Sequence, residues 1–168
     1  MIISPINFKD WIEKNRELLK PPVCNKVVYE NTEFIIMVVG GPNIRKDYHI
    51  DEGEEFFYQL EGKMTLRIME NGKPKDVDID EGEIFLLPPR IPHSPQRFKN
   101  TVGLVIERKR TETELDGFQW YCDSCNTLLY EKKFPLKSIE RDLPPIFDTF
   151  WKNIELRTCS NCGEILEK

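Results

Sequence analysis

The sequence is poor in long apolar runs, in excess positive charge and in histidine, and each shortage excludes a class of function. The longest purely apolar run covers residues 34–39, far short of the roughly 20 residues that a membrane-spanning helix needs. Acidic residues number 29 and basic residues 24, and the net charge of -5 has the wrong sign for gripping a phosphate backbone. We therefore expect neither a membrane protein nor a nucleic-acid-binding protein.

The amino terminus lacks the apolar stretch followed by small residues that marks a secretory signal. We therefore expect a cytoplasmic protein with reduced thiols. Four of the five cysteines form two Cys-x-x-Cys pairs, Cys122 with Cys125 and Cys159 with Cys162. In a reducing compartment this grouping indicates a metal site and not disulfides. The fifth, Cys24, is expected to be a small packed residue.

Four thiolates form a closed tetrahedral site for zinc or a single iron, which favours a structural role over catalysis. Each pair is followed by a residue that tolerates a left-handed backbone, Asn126 or Gly163. A redox Cys-x-x-Cys function is the weaker interpretation because both pairs occur together. A zinc-ribbon module for nucleic acid is a further alternative, but the tail lacks a basic stripe.

The chain of 168 residues is long enough for one main domain and a small appendage. Asn7 is positioned to cap a helix over residues 8–19, where apolar residues recur at helical spacing. After it, short β-rich runs are separated by turn residues, and Asn71-Gly72 is a strong hairpin signal. The predicted strands cover 34–39, 56–60, 64–69, 84–87 and 101–107. This spacing predicts an antiparallel sandwich or barrel.

Composition changes near residue 110, where a basic run and the acidic stretch 112–116 are expected to form a solvated connection. We therefore divide the chain into a domain at 1–110, including the first helix, and a carboxy-terminal segment at 111–168 that carries the four cysteines. In this segment we predict a strand near 128–130 and a helix near 145–151 that begins at Pro144-Pro145.

Only two histidines exist, so a site that needs two imidazoles must use both. His49 precedes the carboxylate of Glu55 by six residues across a glycine turn, and His93 follows the predicted strand 84–87. Two imidazoles and one carboxylate hold one face of a divalent metal in non-haem Fe(II) oxygenases. Taken singly, each histidine has a plainer interpretation as a surface or hydrogen-bonded residue. The acidic residues at 52–55 could equally form a solvated turn.

These residues resemble the two cupin motifs. The first motif is matched by Gly41, Asp47, His49, Glu55 and Gly62, and the second by Gly82, Pro88, Arg90, His93 and Arg97. Asp47 replaces the first histidine, which converts a three-histidine, one-glutamate site into a two-histidine, one-glutamate site. Arg90 and Arg97 replace the usual glycine and asparagine. The resemblance implies an all-β cupin jelly-roll barrel with an amino-terminal helix, followed by a rubredoxin-like four-cysteine segment.

More narrowly, the runs 45–49, 54–59, 82–88, 92–98 and 100–108 closely resemble the 3-hydroxyanthranilate 3,4-dioxygenase family. The resemblance extends from the first helix to the last cysteine. It implies Fe(II)-dependent ring opening of 3-hydroxyanthranilate by O2 to 2-amino-3-carboxymuconate semialdehyde, on the kynurenine route towards quinolinate and NAD. The expected cofactors are Fe(II) bound by His49, Glu55 and His93, and a second iron or zinc on the four cysteines.

Charged residues near these ligands are the candidates for the remaining roles. A planar guanidinium at Arg97 suits the substrate carboxylate, and Arg45 offers a fixed positive charge to dioxygen. Strand alternation places Glu107 on the face of Gly103 and Val105, and the family pattern marks it as substrate-binding. The plainer interpretation of Glu107 is an ion pair with Arg108 or Lys109. The plainer interpretation of Arg45 is a surface cation. Glu55 is expected to accept a hydrogen bond from the substrate amine as well.

Two rival functions are open to a cupin. A zinc-dependent sugar isomerase would need the histidine that Asp47 replaces. The other rival is a non-enzymatic sensor that binds a small aromatic acid. An attached DNA-binding domain would favour this function, and the sequence gives no sign of one. The expected partners are 3-hydroxyanthranilate and O2, with no nucleic acid and no membrane, and the sequence leaves a homodimer open.

Overall fold

The computed structural model describes residues 4–21, 24–137 and 139–168, without the side chains of residues 139 and 140. The helices in this part of the chain are α1 (Phe8–Asn15), a 3-10 turn (Arg16–Leu19), α2 (Ile139–Lys152) and α3 (Ile154–Arg157). The strands are β1 (Asn25–Val27), β2 (Phe34–Gly40), β3 (Asp47–Ile50), β4 (Glu55–Glu61), β5 (Met64–Glu70), β6 (Lys73–Ile79), β7 (Ile84–Leu87), β8 (His93–Arg97), β9 (Val102–Arg108), β10 (Asp116–Tyr121) and β11 (Leu128–Phe134).

The strands form two antiparallel sheets that face each other. One sheet has the order β1-β2-β9-β4-β7, and the other has the order β11-β10-β3-β8-β5-β6. Apolar side chains from both sheets meet in a shared core that includes Phe57 of β4, Val105 of β9 and Leu66 of β5. Alternate residues of β4 and β9 point into this core, as the period of two in their burial requires. The predicted antiparallel barrel is therefore confirmed.

The turns follow their sequence signals. Asn71 and Gly72 both have positive φ, at 51° and 73°, which is the backbone that a two-residue hairpin turn needs. The hairpin joins β5 to β6 over seven register pairs. No strand was predicted for β6, because its sequence is largely charged, and its residues are mostly exposed.

The predicted first helix is confirmed, although its last turn tightens into the 3-10 turn. The Asn7 side chain accepts a hydrogen bond from the backbone N–H of Asp10 at 3.1 Å. This cap satisfies one of the free amides at the helix start. Ile12 and Leu19 are buried against Val38 and Val102 of the five-stranded sheet, so the helix packs outside the barrel.

The carboxy-terminal helix begins earlier than predicted. Pro144 and Pro145 lie inside α2, which starts at Ile139. Ile146 and Phe150 of this helix pack against Trp120 of β10 in an aromatic cluster. Burial of this apolar face stabilises the helix despite the backbone hydrogen bonds that two prolines remove.

Strand β10 continues the six-stranded sheet, since it pairs with β3 over four register positions. The division of the chain at residue 110 stays a prediction. In the residues that the structure describes, no helix combines the length and the apolar character that crossing a membrane requires.

Candidate active site

Three neighbouring strands bring the two histidines and Glu55 together. His49 of β3 lies directly opposite His93 of β8 in the sheet register, with ring centroids 5.2 Å apart. Glu55 starts β4 on the facing sheet. One ligand atom from each of the three residues lies within 4.8 Å of the others. The set of two imidazoles and one carboxylate therefore has the geometry to hold a metal ion.

Glu55 and His93 face each other without a proper hydrogen bond. Glu55 Oε2 lies 2.7 Å from His93 Nε2, yet it is buried and accepts no aligned hydrogen bond from any described residue. His93 Nδ1 lies 3.0 Å from the Ile91 carbonyl, which fixes the ring. Although burial favours the neutral acid, the two histidines and Arg110 lower the pKa of Glu55 to about 2. An ionised, buried Glu55 Oε2 without an aligned donor is a group that a bound cation would satisfy.

A buried carboxylate holds the other imidazole. His49 Nε2 lies 2.7 Å from Asp116 Oδ1, and the Asp116 side chain is 0% exposed. Asp116 also accepts hydrogen bonds from Arg110 Nε and Nη2. The expectation that residues 112–116 form a solvated connection is therefore wrong for Asp116. The Arg110 side chain, from the basic run of the same connection, is also buried. It forms ion pairs with Asp51, Glu107 and Asp116.

Arg97 is a buried cation at the end of β8. It is 2% exposed, and its Nη1 donates to Gln59 Oε1 at 3.4 Å. Among the described residues no carboxylate comes within 4.0 Å of its guanidinium nitrogens. Burial lowers the pKa of Arg97 to about 10, and only the more distant Glu55 opposes this effect. A Cβ added at Gly103 would lie 2.5 Å from Nη1, so the glycine makes room for the guanidinium.

Arg45 lies just before β3, and its charge is partly compensated. It forms an ion pair with Asp47, in which Nε lies 3.0 Å from Oδ2. Its guanidinium carbon also lies 5.8 Å from the ring centroid of Phe118. Asp47, which stands where cupins carry a further histidine, is therefore engaged with Arg45 and lies outside the group of three possible ligands.

Glu107 lies directly opposite Glu55 in the pairing of β9 with β4. It is 4% exposed, as the predicted strand alternation requires. Burial and the negative charge of Glu55 raise the pKa of Glu107 to about 8, against the opposing effect of Arg110. Its cationic partner is Arg110 at 2.9 Å and not Arg108 or Lys109, because β9 ends at Arg108 and the chain then turns inward.

The four paired cysteines form a second group, with all Sγ atoms within 4.8 Å of one another. The Sγ of Cys122 lies 3.5 Å from that of Cys162, and the Sγ of Cys125 lies 3.5 Å from that of Cys159. The two turns have the predicted left-handed residues, Asn126 at φ 59° and Gly163 at φ 78°. Cys24 is buried elsewhere, as expected.

Sequence reasoning missed the buried polar network that surrounds the site. Its members are Asp51, Gln59, Arg110 and Asp116. Charged residues at strand ends are usually solvated. Arg110 and Asp116 are six residues apart, but Asp51 and His49, which complete their contacts, are distant in sequence. A signal was available for Gln59, since strand alternation from Glu55 places both on the inner face of β4.

A family model of 3-hydroxyanthranilic acid dioxygenase matches residues 1–151. The chain is 58% identical to a 3-hydroxyanthranilate 3,4-dioxygenase of Xanthomonas euvesicatoria, with 98% of this chain and 93% of that protein covered. It is 53% identical to a protein of the same name in Jannaschia, with 97% and 91% covered. A crystal structure of a cupin-2 domain protein from Shewanella frigidimarina matches 62% of this chain and 94% of that one, with a TM-score of 0.50 and 18% identity, which confirms the cupin fold. The chain belongs to the 3-hydroxyanthranilic acid dioxygenase family.

Proposed function

We propose that this protein is an Fe(II)-dependent dioxygenase that opens the ring of 3-hydroxyanthranilate with O2 to give 2-amino-3-carboxymuconate semialdehyde. One observation carries the proposal beyond family membership. The group of two histidines and a glutamate, of which Glu55 and His93 are buried, shares the inner face of β8 with Arg97, a buried cation that forms no ion pair with any described residue. A metal site and an anion site on one strand face suit a substrate that carries both a chelating edge and a carboxylate. The reaction lies on the kynurenine route towards quinolinate and NAD.

His49, Glu55 and His93 are the proposed ligands of the catalytic metal. The donor set favours Fe(II) with open positions, and the buried Glu55 Oε2 that accepts no aligned hydrogen bond supports it. When bound, Fe(II) supplies a redox-active Lewis acid for the adjacent hydroxyl and amino groups of the ring and for O2. His93 donates a hydrogen bond to the Ile91 carbonyl and His49 donates one to the Asp116 carboxylate, which holds both imidazoles in fixed orientations.

Arg97 orients the substrate in this proposal. Its guanidinium binds the ring carboxylate with two hydrogen bonds, which fixes the ring in its own plane. Gly103 leaves the space that this guanidinium occupies. Glu55 is a ligand first and also accepts a hydrogen bond from the substrate amine. Arg97 and Glu55 together select an aromatic acid with an ortho amino group.

Arg45 and Glu107 are the proposed catalytic groups. The negative charge of Glu55 contributes to the raised pKa of Arg45, so the two side chains lie near each other. In this proposal Arg45 offers a fixed positive charge where negative charge develops on dioxygen. Glu107 contacts the substrate from the opposite strand. Because its pKa is raised to about 8, Glu107 can hold a proton at neutral pH and exchange it with the ring substituents.

The four cysteines are proposed to hold a structural iron or zinc, since four thiolates leave no open coordination position. A cytoplasmic location is proposed because these thiols must stay reduced to bind a metal. A homodimer stays a prediction, and sedimentation of the metal-loaded protein would decide between monomer and dimer.

The function is tested by loading the protein with Fe(II) under anaerobic conditions and adding 3-hydroxyanthranilate in air. We expect the absorption of the semialdehyde to appear in proportion to substrate. The matched control is 2-aminophenol, which keeps the chelating pair and lacks the carboxylate. An iron-loaded protein that binds the substrate and forms no semialdehyde would contradict the proposal.

A further inference from the structure

Arg110 is a buried cation that connects three strands at one end of the barrel. It lies between β9 and β10, and its side chain is 8% exposed. Its guanidinium nitrogens lie 3.2 Å from Asp51, 2.9 Å from Glu107 and 2.7 Å from Asp116. By contrast Arg108, two residues earlier, has a side chain that is 40% exposed and pairs with Glu114.

Two of these three carboxylates reach the proposed active site. Glu107 lies opposite Glu55 in the strand register, and Asp116 accepts a hydrogen bond from His49. The third, Asp51, also binds the backbone N–H of Gly53 in the turn that leads to Glu55. A single guanidinium therefore holds groups that neighbour the proposed substrate and the proposed metal.

The planar fork of arginine is the feature that this arrangement needs. Three buried carboxylates repel one another, and without a cation between them they would move apart or take up protons. Arg110 Nε and Nη2 donate aligned hydrogen bonds to Asp116. Nη2 also reaches Asp51 and Nη1 reaches Glu107 as ion pairs without aligned hydrogen bonds. An ammonium group at the end of a lysine carries the same charge but cannot span the same three positions.

We propose that Arg110 is a positioning residue of the active site, which fixes Glu107 towards the substrate and, through Asp116, fixes the His49 imidazole towards the metal. The Glu107 branch rests on the proposed function. The His49 branch requires only that the three ligands bind a metal. The two branches can therefore be tested separately.

The test compares Arg110→Lys with Arg108→Lys, the same substitution at the neighbouring exposed arginine. The full chain is used with zinc added first to fill the four-cysteine site. Competition with a chelator under anaerobic conditions measures the Fe(II) dissociation constant. Anaerobic titration of the iron-saturated proteins measures binding of 3-hydroxyanthranilate without turnover. Thermal unfolding reports on the fold of each variant.

For Arg110→Lys we expect Fe(II) affinity to fall by about 10- to 100-fold, the usual effect of losing a partner that orients a metal ligand. Substrate affinity of the iron-saturated protein should also fall, by about 10-fold, because Glu107 is no longer fixed. Arg108→Lys should change both affinities by less than about 3-fold. A role in stability alone would lower the unfolding temperature and leave substrate binding of the iron-saturated protein unchanged.

The Asp116→Asn variant tests the His49 branch apart from the Glu107 branch. It also replaces Arg110→Lys in the test if that variant does not fold. It should weaken Fe(II) binding by about 10-fold or more, while substrate affinity at iron saturation stays within about 3-fold, because the contact between Arg110 and Glu107 remains. The proposal is overturned if either variant, once folded, binds Fe(II) as tightly as Arg108→Lys does. A wild-type protein that binds Fe(II) but not 3-hydroxyanthranilate would refute the proposed function, and the Fe(II) comparison would still decide the role of Arg110.

Discussion

Replacing Arg97 tests the chemistry of substrate selection most directly. Its guanidinium is 2% exposed and has one long hydrogen bond to Gln59. Burial lowers its pKa from an ordinary value of 12.5 to about 10 despite the favourable charge of Glu55. This difference corresponds to about 3 kcal/mol of free energy by which the charged form is destabilised. A substrate carboxylate that pairs with the guanidinium can recover free energy of this size on binding.

The expected effect of Arg97→Ala follows from that magnitude. Removal of one partner from a desolvated charge pair costs about 2 to 5 kcal/mol. At about 1.4 kcal/mol per tenfold change, the dissociation constant for 3-hydroxyanthranilate should rise by about 30-fold to about 4,000-fold. Arg97→Lys should recover only part of this loss, because an ammonium group cannot form the two parallel hydrogen bonds.

The assay is an anaerobic binding titration of the iron-loaded proteins with two ligands. The second ligand, 2-aminophenol, lacks the carboxylate, so it should bind the wild type weakly and be affected little by the substitution. The four dissociation constants form a double-mutant cycle that isolates the contact between Arg97 and the carboxylate. Equal losses for the two ligands would show that Arg97 does not hold the carboxylate.

Protein stability supplies an independent check on the same residue. Arg97→Met removes the buried charge with a smaller loss of volume than alanine. Because the charge is unpaired in the free protein, its removal should leave the free energy of unfolding within about 1 kcal/mol or increase it. A large loss of stability, measured by denaturant unfolding, would mean that Arg97 is a structural residue.

Three further substitutions have specific outcomes. His93→Ala should abolish Fe(II) binding at the histidine and glutamate ligands and leave the four-cysteine metal in place, and elemental analysis that finds both sites full would refute the ligand assignment. Cys122→Ser should lose one metal and lower the unfolding temperature, and a folded, iron-loaded variant without turnover would contradict the structural role of that site. Gly103→Ala should displace the Arg97 guanidinium, since the new Cβ would lie 2.5 Å from it, and weaken substrate binding by about 10-fold with little change in unfolding; unchanged affinity would show that this space does not position Arg97.

The sequence predicts the apolar strands of this barrel well and the two strands that carry the histidines poorly. Strands β2, β4, β5, β7 and β9 carry runs of apolar residues and were predicted within one residue at either end. Strands β3 and β8 were not, because their inward positions carry His49 and the pair His93 and Arg97 in place of apolar side chains. The alternation that marks a strand is therefore lost at the site itself.

The features that the sequence did not predict are mostly the burial and the partners of charged residues. Asp116 stands in an acidic stretch, and only the fold shows that Arg110 and His49 surround it. Glu107 was assigned to the correct face of β9, yet its cationic partner was not identified, because the chain turns back after Arg108 and brings Arg110 to it. Spacing predicts which residues share a strand face, but charge pairing across strands depends on the turns between them.

The pairing of the individual arginines near the site explains how an acidic protein can select an anionic substrate. The net charge of -5 belongs to the whole chain, and its field is screened beyond about 10 Å at ordinary ionic strength. Three arginines surround the proposed ligands, and two are compensated, Arg45 by Asp47 and Arg110 by three carboxylates. Arg97 alone among these three has no carboxylate partner within the described chain. Arg97 is therefore the arginine of these three that is available to the carboxylate of the substrate, whose chelating groups would face the proposed metal ligands.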